Sequence, residues 1–285
     1  MKIIECPRDA MQGIDEFMPT EIKIKYLNQL LKVGFDTIDF GSFVSPKVIP
    51  QMKDTSTVYR GLDLTQTRSK LLAIVANLRG ARDASLFEKI DYLGFPLSIS
   101  ETFQRRNTNM SIDEAFKELE LIRNICTQSG KKLVVYISMG FGNPYGDPYD
   151  VDGVISFMGK LITLGADVIS IADTVGVASV GEVSSLFNAL IPAFPQIELG
   201  VHLHARPQDA YDKVLAAYNA GCRRIDGALK GYGGCPMAND TLVGNIPTEV
   251  LISALDSVAA PVTIDRTALH DALACASATF PAQHL

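Results

Sequence analysis

Eight short runs rich in β-branched and other apolar residues recur down the chain, at 3–4, 37–38, 72–75, 90–93, 133–137, 168–171, 197–201 and 223–225, with a helix-length segment after each. The return from helix to strand repeats one device. A glycine (Gly34, Gly130, Gly165, Gly221) is followed by one or two small or polar residues and then the apolar run. Glycine stops a helix cheaply because it accepts the left-handed conformation. The apolar runs are nearly continuous rather than alternating, as expected of strands covered on both faces. Alternating strand and helix implies a parallel sheet. Eight such units in 285 residues come close to the size of the closed barrel, about 250 residues.

The expected fold is therefore α/β, a (β/α)₈ TIM barrel forming one domain over 1–285, with an additional C-terminal helix. An open doubly wound sheet is the alternative, but no GxGxxG opens the first unit and no GxxxxGK[ST] occurs. The helices are well specified. Ser111 and Glu114 have capping-box spacing, and Ile112, Ala115, Phe116, Leu119, Ile122 and Cys126 recur at steps of three and four until Gly130. Thr20 after Pro19 begins another helix through Leu31, with Ile24, Leu27 and Leu31 on its buried stripe. A helix starting near Thr248 and a last one over 264–279 complete the chain.

Composition narrows the function. With 47% hydrophobic residues the chain can bury a large core, and 26 basic against 32 acidic residues argue against broad nucleic-acid binding and for a small-molecule substrate. The five cysteines form no CxxC pair, so neither a disulfide framework nor a thiolate zinc cluster is indicated. The N-terminal residues lack the pattern of a secretory or transit peptide, and no run approaches the roughly 18 apolar residues of a membrane span. A cytoplasmic protein with no membrane contact is expected.

A barrel carries its chemistry on the loops after its strands. Arg8 and Asp9 follow the first strand, Asp39 ends the second, Asp173 and Thr174 follow the sixth, and His202 and His204 end the seventh. Residues 231–245 form a long loop after the eighth. In His202-Leu203-His204 the two imidazoles project to one side of a strand and can share a metal ion, or they can be two hydrogen-bonded histidines at a barrel rim. Asp9 can add a carboxylate from across the mouth and Asn245 a carbonyl oxygen. The mixed nitrogen and oxygen set suits Mg²⁺ or Mn²⁺ ahead of Zn²⁺. The bland alternatives are a salt bridge from Asp9 to Arg8 and an ordinary turn at Asn245. Cys235 lies between glycines and a proline in a loop, whereas the other cysteines read as small hydrophobes. His270 and His284 read as solvated.

The runs Pro7-Arg8-Asp9-Ala10-Met11-Gln12, Gly41-Ser42-Phe43-Val44-Ser45-Pro46-Lys47 with Pro50-Gln51-Met52, Asp173-Thr174-Val175-Gly176, Val201-His202-Leu203-His204, and Gly233-Gly234-Cys235-Pro236 with Gly244-Asn245 come in one order. Together they resemble the 3-hydroxy-3-methylglutaryl-CoA lyase family, over residues 3 to about 250. The resemblance implies a metal-dependent barrel enzyme that cleaves its CoA thioester to acetyl-CoA and acetoacetate. It implies Asp9, His202, His204 and Asn245 as metal ligands and Arg8 facing the thioester carbonyl. It also implies Cys235 in proton transfer, Gln12, Ser42, Ser170 and Thr174 lining the acyl pocket, and Asp173 as a supporting carboxylate of that pocket. Asp39 stands where the family has a glutamate, as a catalytic carboxylate one methylene shorter. It either falls short of the site or makes room for a different acyl group.

Other departures are Cys6 directly before Pro7 where the family inserts a glycine, Ala205 and Arg206 after His204, and one extra residue between Cys235 and Asn245. Two other readings remain: a synthase of the same superfamily condensing an acyl-CoA with a 2-keto acid, and a metabolite-binding relative without turnover. Arg105-Arg106, on the loop after the fourth strand, reads as a solvated loop, with CoA phosphates as the alternative. Barrels often dimerise, and the C-terminal helix is the surface a homodimer would use.

Overall fold

In the computed structural model, which describes residues 1–234 and 243–280, strand and helix alternate as the sequence predicts. The elements are β1 (Lys2–Glu5), α1 (Pro7–Gln12), α2 (Thr20–Val33), β2 (Thr37–Ser42), α3 (Thr55–Arg60), β3 (Lys70–Ile74), α4 (Leu78–Ser85) and β4 (Ile90–Ser98). There follow α5 (Glu101–Thr108), α6 (Ile112–Ser129), β5 (Lys132–Ser138), α7 (Val151–Leu164), β6 (Val168–Asp173), α8 (Val180–Ala193), β7 (Glu198–Ala205), α9 (Pro207–Asn219) and β8 (Arg224–Gly227). The two-residue strand β9 (Gly244–Asn245), α10 (Thr248–Ser257) and α11 (Arg266–Thr279) end the described chain.

The eight main strands pair in parallel in sequence order, and β1 closes on β8, so the sheet is a TIM barrel with a C-terminal helix. The inward faces of β3 to β6 supply an apolar plug of Leu72, Ile74, Tyr92, Val134, Tyr136 and Val168. The outward faces pack under the helices in one continuous core. Helix ends follow the glycine rule: Gly34, Gly130 and Gly165 are left-handed caps. The Ser111–Glu114 capping box forms in both directions.

Four expectations change. Asp39 does not end β2, which shifts register between Asp39 and Gly41 and runs on to Ser42. Arg8 and Asp9 lie on the first turn of α1, because Pro7 starts a helix immediately after the strand. Arg105 and Arg106 stand on α5, nucleated by the Ser100 cap. There Arg105 pairs with Glu101 one turn back at 2.7 Å, and Arg106 lies over the Tyr145 ring. Ile24 is only half-buried, since the covered stripe of α2 runs through Lys23, Tyr26, Leu27 and Leu30.

Candidate active site and metal centre

Barrel order makes β2, β1, β8 and β7 consecutive neighbours, so groups far apart in sequence meet at one side of the mouth. Strand alternation turns His202 and His204 inward together, with Nε2 atoms 3.3 Å apart. Each outer nitrogen has an acceptor. His202 Nδ1 lies 3.1 Å from Asp226 Oδ2, and His204 Nδ1 lies 3.1 Å from the Thr174 carbonyl oxygen. An acceptor at each Nδ1 places the proton there and leaves both Nε2 lone pairs facing one another.

Asp9 completes the convergence. Its carboxylate and the two imidazoles offer ligand atoms that all lie within 4.8 Å of one another. Asp9 Oδ1 accepts from Arg8 Nη1 at 2.9 Å and from Gln12 Nε2 at 3.3 Å, while Oδ2 accepts from Asn245 Nδ2 at 2.7 Å. Asn245 reaches this height because β9 pairs antiparallel with the end of β7, setting Asn245 opposite His204. Its Nδ2 also donates to the Tyr232 carbonyl at 2.9 Å. Gly233 permits this approach. It sits at φ +87°, and a Cβ there would come within 2.8 Å of both the Asn245 amide nitrogen and the Asp9 carbonyl oxygen.

With both Nδ1 atoms protonated, two Nε2 lone pairs and a carboxylate oxygen converge on one point. The donor set therefore fits a divalent cation. Burial and neighbouring charges act differently on the three groups. Burial, aided by the neighbouring His202, lowers the His204 pKa to about 4, so this imidazole is neutral at pH 7. Burial alone would lower His202, but the hydrogen bond and charge of Asp226, with the charge of Asp9, outweigh it and raise the group. For Asp9 burial works upward, and Arg8 with the two imidazoles overcomes it, holding the carboxyl below its ordinary value.

Arg8 is fixed from several sides. Nε and Nη2 both donate to Asp39 Oδ2, at 3.0 and 2.6 Å, and Nη1 donates to Asp9 Oδ1 at 2.9 Å and Gln12 Oε1 at 2.8 Å. Of the five guanidinium N–H groups, one on Nη2 has no partner among the described residues. The shorter carboxylate of Asp39 thus still reaches the cluster. Burial, against the pull of Arg8, raises its pKa to about 6, and its Oδ1 is buried without a partner among the described residues.

The structure thus gathers Arg8, Asp9, Gln12, Asp39, His202, His204 and Asn245 into one cluster. Ser170 lies beside Gly200 in the strand register, one inward position below His202, with its hydroxyl buried and unpartnered. Ser42 Oγ accepts from Val44 N, and Thr174 Oγ1 accepts from Met139 N. Asp173, expected as a supporting carboxylate among the substrate-binding residues, makes its bonds within its own loop and to α9. Its carboxylate accepts from Val177 N, Ala178 N and Lys213 Nζ, so it braces the loop that offers the Thr174 carbonyl to His204. Cys235 lies outside the described residues.

Sequence reasoning missed Asp226 and Lys213. Asp226 stands one residue past the eighth apolar run, and inward alternation along β8 was its available signal. Lys213 looks like any helical lysine, yet it is buried on α9 and bonds both Asp173 and the His204 carbonyl oxygen.

Comparison with known proteins agrees with this geometry. The HMGL-like family model matches residues 2–275. The hydroxymethylglutaryl-CoA lyase YngG of Bacillus subtilis is 32% identical over 252 residues, 88% of this chain and 83% of that protein. A solved HMG-CoA lyase from Acinetobacter baumannii, in complex with coenzyme A and 3-methylmalate, superposes with a TM-score of 0.89 at 32% identity, covering 98% of this chain and 90% of the other. That from Brucella melitensis gives 0.90 at 28% identity, with 97% of each chain covered. Among the described residues no helix is long and apolar enough to cross a membrane.

Proposed function

The chain belongs to the HMGL-like family of lyases, and on that premise we propose that it is a divalent-metal-dependent enzyme cleaving 3-hydroxy-3-methylglutaryl-CoA to acetyl-CoA and acetoacetate. The observation that carries the reading is the pair of imidazole lone pairs aimed with Asp9 at one point, beside an arginine with a single unengaged N–H. Asp9, His202, His204 and Asn245 would hold the ion, with Mg²⁺ or Mn²⁺ the fitting metals. When bound, the ion supplies Lewis-acid acidification and orientation of the tertiary hydroxyl.

The remaining work falls to the chain's own groups. Breaking the bond between the α and β carbons needs the hydroxyl proton removed and the enolate on the acetyl-CoA half stabilised. The spare N–H of Arg8 would donate to the thioester oxygen as charge builds there, and the donations to Asp39, Asp9 and Gln12 keep the guanidinium from turning away. The unpartnered oxygen of Asp39 is an acceptor for a proton within the same cluster. Gln12, Ser42, Ser170 and Thr174 would bound the acyl group, and Cys235 would return a proton to the enolate carbon.

The test is a product assay over several 3-hydroxyacyl-CoA esters with Mg²⁺ or Mn²⁺. Acetyl-CoA and acetoacetate should appear with the six-carbon ester, and EDTA should abolish their formation. Cleavage indifferent to EDTA would contradict the metal role. Thiol release from acetyl-CoA only when a 2-keto acid is present would mark a synthase instead.

A further inference from the structure

Tyr232 is the only residue bearing a side chain in the run Gly231-Tyr232-Gly233-Gly234, and all three glycines stand at positive φ, 71°, 87° and 155°. A segment so poor in side chains has one ring with which to anchor itself. That ring is buried, 4% exposed. Its partner comes from the far end of the described chain. Phe280, directly after α11, stacks on Tyr232 with centroids 4.5 Å apart and planes 24° from parallel, and also meets the edge of Tyr26 on α2 at 5.4 Å.

The backbone of the same tyrosine faces the site. Its carbonyl accepts from Asn245 Nδ2 at 2.9 Å, the same nitrogen that donates to Asp9 Oδ2 at 2.7 Å. Gly233, next in sequence, closes directly on the Asp9 backbone. A continuous line of contacts therefore leads from Phe280 through Tyr232 and Asn245 to the Asp9 carboxylate.

The geometry points to Phe280 and Tyr232 as positioning residues for the cation site, the aromatic stack holding the glycine segment where Asn245 and Asp9 meet. This rests on the metal reading above. Its physical basis is that groups orienting a metal ligand tune the affinity of the site, and their loss typically costs about 10- to 100-fold.

The experiment titrates Mn²⁺ into the full chain, following the paramagnetic resonance of the free ion, and measures amide hydrogen exchange over residues 231–234 and 243–245. The variants are Phe280→Ala, Tyr232→Gly and the ring-preserving Tyr232→Phe. The first two should each weaken Mn²⁺ binding about tenfold and speed exchange in those segments, while exchange in the barrel strands stays unchanged. Tyr232→Phe should match the wild type. Unchanged affinity and exchange in Phe280→Ala, or acceleration spread evenly over the barrel, would overturn the inference. Should Phe280→Ala fail to fold, Tyr232→Gly decides alone, since it leaves α11 intact. Should the wild type bind no Mn²⁺, the metal reading fails. The exchange pattern then decides by itself, with local acceleration supporting the stack and none refuting it.

Discussion

Asp226 decides which way the imidazole of His202 presents its lone pair. With a carboxylate 3.1 Å from Nδ1, the outer nitrogen has an acceptor for its proton and Nε2 turns toward Asp9 and His204. Replacing Asp226 by asparagine keeps the shape but removes the charge and admits the opposite tautomer. Asp226→Asn should weaken Mn²⁺ binding about 10- to 100-fold and lower turnover with it, as read by metal titration and steady-state kinetics. Unchanged metal affinity would show that the tautomer is fixed elsewhere. The histidine pair and Asp9 were legible in the sequence because strand alternation alone turns residues two apart to one side, and the segment directly after a barrel strand lies at the mouth. Asp226 was missed because its one signal, inward alternation along β8, requires the strand to run two residues past its apolar run. Nor could Asp173 be read as a loop brace, since its partner Lys213 lies 40 residues away.

Elements were legible where their pattern is local. The capping box of α6 and the glycine stops of α2, α6 and α7 are written within a few residues, and they form as read. α5 was not read as a helix because its cap is tied to Asp147, which accepts from Thr102 N and pairs with the Ser100 hydroxyl across a distant loop. β9 has two residues and carries no pattern of its own. One link between elements has a measurable consequence. Glu5 at the end of β1 accepts from Leu229 N at 2.8 Å and from the Thr248 hydroxyl at 2.6 Å, tying β1 to the segment after β8 and to α10. Burial raises its pKa from 4.5 to about 8, with the charge of Glu249 adding and the two hydrogen bonds opposing. The folded state therefore holds this proton more tightly than the unfolded chain does. The stability involved is full below about pH 4.5 and drains away as pH rises toward 8. Glutamine keeps an acceptor for Leu229 and offers an N–H to Thr248. Glu5→Gln should therefore match the wild type near pH 4.5 and exceed it by on the order of a few kcal/mol at pH 8, measured by denaturant unfolding across that range. Parallel stability curves for the two proteins would contradict the buried proton.

At the scale of the molecule, the site is a product of closure. Arg8, Asp39, Asp226 and His202 span most of the chain, yet they stand on or just after β1, β2, β8 and β7, which the barrel makes neighbours. Eight strand–helix units were enough to read that closure from sequence, and closure was enough to bring Asp9 across to the imidazoles. The heights and side-chain partners within the mouth depend on register shifts and on β9, which no periodicity announces. The most direct test of the whole account is calorimetric titration of the metal-stripped protein with Mn²⁺, beside His202→Ala and His204→Ala. The account predicts one ion per chain, with binding lost in both variants while their circular dichroism stays that of the wild type. Binding of no ion by the wild type, or binding that survives removal of either imidazole, would contradict it.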